Sequence, residues 1–210
     1  MDEDEKGVYF ARIDPSTGVC AGKTVLDKSF GFDGSLSAID AEGKTLFYAA
    51  PPKHGGNNFT LLAFDTTTGE IKSQVKLHPT PDTQGPAGLQ WDAASGKILA
   101  LMPPVGGGWQ LVSIDPASGL VGQTTGLSAL PSMHGRAGGA EWLLTTGGKS
   151  VFNAGLFTEM GTVATMISID VGCALKAAPQ TNCTLGVAPW PADPRKTSAP
   201  MDLAVDVGPA

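Results

Sequence analysis

Short apolar runs, each closed by Asp or Gly, recur along the chain. Gly88-Leu89-Gln90-Trp91-Asp92 leads through Ala93-Ala94-Ser95-Gly96 to Lys97-Ile98-Leu99-Ala100-Leu101-Met102. A Gly/Pro stretch follows, then Gln110-Leu111-Val112-Ser113-Ile114-Asp115 and the turn Pro116-Ala117-Ser118-Gly119. Runs this short, punctuated by turn formers, predict strands joined by tight connections rather than helices.

Two motifs repeat with one period. An apolar strand ending in Asp before a small polar turn occurs at Asp14, Asp65 and Asp115 and, in decayed form, at Asp170, at separations of 51, 50 and 55 residues. A second motif, a strand followed by Gly-Lys and another strand, places Ile39, Trp91 and Trp142 in equivalent positions, 52 and 51 apart. Trp91 and Trp142 are expected to pack between neighbouring sheets. The turn has a physical basis: the Asp side chain accepts from a backbone N–H two residues on, and the Gly takes the left-handed conformation that closes the hairpin. Recurring acids of this kind are turn formers first, since a catalytic acid is needed only once.

Each full repeat then supplies four strands. The second is read as Ser35–Asp40, Thr45–Ala50, Thr60–Asp65 and Glu70–Leu77. The third is Ala87–Asp92, Lys97–Met102, Gln110–Asp115 and Leu120–Gly126. In the fourth they are Ala140–Thr145, Ser150–Ala154, Ala164–Asp170 and Thr184–Ala188. The chain opens with a third-type strand, Gly7–Asp14, and a fourth-type one, Cys20–Leu26, and Met201–Asp206 resembles a first. Four meandering antiparallel strands per repeat is the cadence of a β-propeller blade. The expected fold is all-β: a single propeller domain over residues 1–210 with about four blades, its ends sharing one. The alternative is part of a larger propeller. Residues 1–6 are expected to be a disordered acidic terminus, and 189–200 a Pro-rich linker returning to the first blade.

The strand-Asp-Pro-x-Ser/Thr-Gly lines and Gly88-Leu89-Gln90-Trp91-Asp92 with Ser95-Gly96-Lys97-Ile98 resemble blades of the YVTN, gluconolactonase-like and quinoprotein-like β-propellers over about residues 8 to 172. The resemblance implies a blade type and no single activity.

Composition narrows the partners. A formal net charge of −6 and the absence of any basic run exclude nucleic acid and anionic membrane as expected partners, because both require Lys and Arg to neutralise phosphates. No apolar run is long enough to span a bilayer as a helix. Cys173 and Cys183 bracket a Pro-containing segment and are a disulfide candidate, and Cys20, at a strand start, is expected to be a buried structural thiol. Sequons at Asn58 and Asn182 are glycosylation candidates, and with the cysteines they favour a secreted protein.

In a meander the tight turns fall on one face and the long connections on the other. The long-connection face collects His54, Asn57, His78, Asp82, Trp109, His134, Arg136 and Glu159, the expected ligand-binding set. No nucleophile elbow, zinc-protease motif, phosphate loop or dinucleotide fingerprint is present, so no cofactor is expected. The leading expectation is a non-enzymatic binding module for a protein or glycan. The resemblance implies an alternative, a divalent-metal lactonase or esterase with Glu141, Asp82 and Asn153 as loose ligand candidates, and more remotely a quinone oxidoreductase. A third reading is a structural subunit or fragment that completes its ring with another chain.

Overall fold

The computed structural model describes residues 9–31, 36–78, 85–86, 88–102, 110–122, 125–126, 137–146, 149–157, 163–176 and 183–189. They form four antiparallel sheets in chain order. The first has two strands, β1 (Tyr9–Ile13) and β2 (Cys20–Val25). The second comprises β3 (Ser37–Ile39), β4 (Thr45–Ala50), β5 (Thr60–Asp65) and β6 (Ile71–Lys76), and the third β7 (Leu89–Asp92), β8 (Lys97–Met102), β9 (Gln110–Ile114) and β10 (Thr125–Gly126). The fourth holds β11 (Ala137–Thr146), β12 (Lys149–Phe157), β13 (Val163–Asp170) and β14 (Thr184–Pro189), with a short helix, α1 (Val171–Lys176), between its last two strands. Strands pair in sequence order within every sheet, so each is a simple meander.

The sheets stack face to face, and side-chain parity on β8 shows how. Ile98, Ala100 and Met102 are buried in one apolar cluster with the second sheet, while Leu99 and Leu101 enter another with Phe152, Ile167 and Ile169 of the fourth. Alternate residues of a strand point to opposite faces, so a strand covered on both sides must be apolar throughout. This accounts for the unbroken apolar runs of β4, β5 and β8 and for the burial of β9 on both faces, in contrast to β2 and β6, whose burial alternates as outer strands. The first strands β3, β7 and β11 lie side by side in that order. At the second seam Trp91 stacks on Phe47, with ring centroids 5.4 Å apart and planes at 7°.

The repeated Asp residues close their turns as expected. Asp14 Oδ1 accepts from Ser16 N at 2.8 Å, Asp65 Oδ1 from Thr67 N and Thr68 N at 2.8 and 3.0 Å, and Asp115 Oδ1 from Ala117 N and Ser118 N at 2.9 and 3.0 Å. The Ser16 hydroxyl and amide, and the paired amides behind Asp65 and Asp115, hold these carboxyls below their ordinary range. At Asp170 the same residue does something else: its Oδ1 accepts from Cys173 N at 2.9 Å and caps α1. Val171 and Ala174 of that helix are buried against the third sheet, and Cys173 is disulfide-bonded to Cys183. The helix therefore occupies the seam that a tight turn occupies in the other repeats.

Several expectations are corrected. Cys20 is exposed and free rather than buried, because its strand is the outer one of a two-stranded sheet. Ile39 does not pack like Trp91. It is 51% exposed, since no described strand lies beside β3 on the side of the first sheet. The run read as Leu120–Gly126 lies along β9, where Val121 bridges Ile114 and Gly122 N donates to Ser113 O at 2.7 Å, and it is also tied to the second sheet, since His78 N donates to Gly119 O and His78 bridges Leu120; residues 123–124 lie outside the described residues. β14 runs through Pro189, one residue into the stretch read as linker; as an edge strand it tolerates the missing donor. The segments 1–6, 190–200 and Met201–Asp206 lie outside the described residues, and of Trp142 only the backbone is described.

Candidate functional site

The connection between β4 and β5 is tied to the segment after β2. Gly31 N donates to Pro51 O at 2.7 Å, Lys53 N to Ser29 O at 2.8 Å, and Phe30 bridges Pro52. Leu77 N donates to Phe59 O at 3.0 Å, so the end of β6 and the far side of the same connection are also joined. Phe59 covers Gly85, where any Cβ would overlap its ring. The backbone of 51–59 is thus fixed at both ends while His54, Asn57 and Asn58 are exposed. His78, also exposed, leaves the same end of the second sheet and is fixed by its bond to Gly119 O. None of these four side chains has a hydrogen-bonding partner among the described residues.

The segments that carry His54, Asn57 and His78 lie at one end of the second sheet. Asp82, Trp109, His134, Arg136 and Glu159, and the sequon residue Asn182, lie outside the described residues. Asn58 sits exposed in the fixed connection. Among the described residues no group of three or more His, Cys, Asp and Glu is close enough to hold a metal ion. Of the loose metal candidates, Asn153 is fully buried on β12, where its Oδ1 accepts from Ser168 Oγ at 2.6 Å and its Nδ2 donates to Val151 O at 3.4 Å. Its amide is committed to the sheet. Asp82 lies outside the described residues, and of Glu141 only the backbone is described.

A feature the repeat reading missed lies at the other end of the sheets. A cleft of about 180 Å³ opens between the first sheet and β4–β5 of the second. Phe10, Leu46 and Phe64 form its floor, and Arg12, Asp65, Thr24 and Thr66 stand around it. Phe10 is packed in place, 4.4 Å from the Phe64 ring centroid and 5.1 Å from that of Tyr48. The signal in the sequence is Arg12: aligned on the repeat Asp, its position holds Ala63, Ser113 and Ser168 in the later sheets.

No protein-family model matches the chain, and no characterised protein matches it in sequence. Among solved structures it is similar to the crystal structure of TolB from Acinetobacter baumannii, at 14% identity and a TM-score of 0.26, over 78% of this chain and 48% of that one. The chain thus spans about half the length of that structure.

Proposed function

We propose that the chain is a binding module of the β-propeller type, its sheets fanned about a common axis, with a protein or glycan ligand docking on the face of the long connections. The 51–59 connection carries this reading: its backbone is bonded to the segments that follow β2 and β6, yet the side chains of His54, Asn57 and Asn58 have no hydrogen-bonding partner among the described residues. A surface ordered during folding does not meet that entropy cost again on association, which favours binding. The spacing of the repeat assigns Asp82, Trp109, His134, Arg136 and Glu159, all outside the described residues, to the same face in this reading. The Cys173–Cys183 disulfide supports an oxidising compartment, extracellular or periplasmic.

The test is binding to arrayed oligosaccharides and to proteins of the culture medium, comparing the full chain with His54→Ala/Asn57→Ala/His78→Ala and Trp109→Ala/His134→Ala/Arg136→Ala variants. A loss of at least about tenfold, or 1.4 kcal/mol, is expected in each. Binding left unchanged by both triple variants refutes the reading.

A second reading, a ring completed by a further strand, is favoured by the first sheet. Among the described residues it has two strands where the others have four, and Ile39, Tyr9, Ile13 and Val25 are each more than half exposed around it. Uncovered apolar faces and strand edges invite pairing. If another chain supplies the strand, light scattering gives an assembly rather than a monodisperse monomer.

A further inference from the structure

We propose that the cleft between the first two sheets is a separate binding site for a small carboxylate carrying one aromatic ring or a branched apolar chain. Its floor of Phe10, Leu46 and Phe64 is apolar, and its volume of about 180 Å³ suits one ring and a short tail. An apolar cavity of roughly 150 Å³ accommodates benzene.

The polar groups around the floor decide the charge of the ligand. Thr24 Oγ1 donates to Gly69 O and Thr66 Oγ1 to Gly43 O, both at 2.6 Å, so each hydroxyl hydrogen is committed. Asp65 Oδ1 accepts from two turn amides, and its Oδ2 lies 3.9 Å from Lys72 Nζ. Among the described residues Arg12 alone of these side chains keeps free donors, and no carboxylate pairs with it. A guanidinium presents its N–H groups in a fork that a carboxylate accepts with both oxygens. Arg12 follows Phe10 by two residues on β1 and so shares its face, placing charge and ring pocket side by side.

The strand partner of Arg12 is Gly22, and a Cβ built there meets nothing within 4 Å. Space is left open beside the one cation among the described residues that line the cleft. The corresponding pair in the second sheet is Ala63 with Ser73, two small residues and no charge. Arg12 departs from the small residue found there in every later sheet, whereas a Gly at the partner position recurs: Ser168 pairs with Gly186 in the fourth sheet, and Gly122 N donates to Ser113 O in the third.

The experiment is calorimetric titration of the full chain with 3-phenylpropionate, 3-phenylpropan-1-ol and 3-phenylpropylamine, repeated on Arg12→Gln and Gly22→Leu. Arg12 is exposed and Gly22 faces open space without positive φ, so both variants should keep the parent urea midpoint. The expected result is saturable one-to-one binding of the acid, at least tenfold weaker binding of the alcohol and the amine, and at least tenfold loss of acid affinity in each variant. Absence of saturable acid binding, equal binding of the alcohol, tighter binding of the amine, or full affinity in either variant overturns the proposal. A His54→Ala/Asn57→Ala/His78→Ala variant keeps acid affinity, so this outcome is independent of the long-connection face.

Discussion

Replacing turn glycines by Ala separates two demands that look identical along the chain. Gly18, Gly69, Gly96 and Gly119 all have φ between 65° and 79°. An L-residue in that conformation costs roughly 1–2 kcal/mol at any of them. At Gly18 and Gly96 a Cβ meets nothing within 4 Å, and at Gly69 it makes ordinary contact with Thr24 Oγ1 at 3.5 Å, so the backbone cost is the whole effect. At Gly119 a Cβ would overlap the carbonyl oxygen of Lys76 and lie 3.3 Å from Val75 Cγ2, beside the bond from His78 N to Gly119 O. The obstacle is backbone and cannot rotate away, so the turn must lift off β6. Overpacking of this kind adds about 1–3 kcal/mol. Gly119→Ala should thus lose about 2–5 kcal/mol in total, combining strain and overpacking. An excess of 2 kcal/mol over Gly96→Ala corresponds to about 4–8 °C in Tm for a chain of this size. Urea unfolding followed by tryptophan fluorescence reads the difference, since Trp91 stacks at that seam. A Gly119→Ala midpoint equal to that of Gly96→Ala would show that the turn does not bear on the second sheet.

Reducing the Cys173–Cys183 bond, which joins residues 10 apart, should lower stability by about 2–3 kcal/mol, with exchange protection lost first in α1, as hydrogen–deuterium exchange would register. Asp170→Ala should cost about 1 kcal/mol by uncapping the same helix, whereas Asp170→Asn should be nearly neutral; equal losses in thermal melts would refute the capping role. The carboxyls of Asp14, Asp65 and Asp115 are held below their unfolded value of 3.8. Their contribution is therefore complete above that pH and is lost as pH falls through the lower folded values. Urea midpoints should drop below pH 4, and Asp65→Asn/Asp115→Asn should flatten that drop.

The repeat period, the strand boundaries and the chemistry of the Asp turns were legible in the residues because each depends on neighbours close in sequence. Alternation marks which strands are covered on one face and which on both, and the Asp and Gly spacing fixes how the chain reverses. The Cys173–Cys183 candidate was readable too, since both cysteines flank one connection. Tertiary structure decided what each pattern meets. Ile39 and Trp91 share a repeat position, but Trp91 finds Phe47 and Ile39 finds no described strand. Asp65 and Asp170 share another, yet one closes a hairpin and the other caps a helix wedged between sheets. Arg12 and Gly22 are ordinary strand residues until the second sheet supplies Leu46 and Phe64 opposite them. The reason is common to all three: a strand's sequence specifies which of its faces is apolar, while the surface set against that face comes from a sheet tens of residues away.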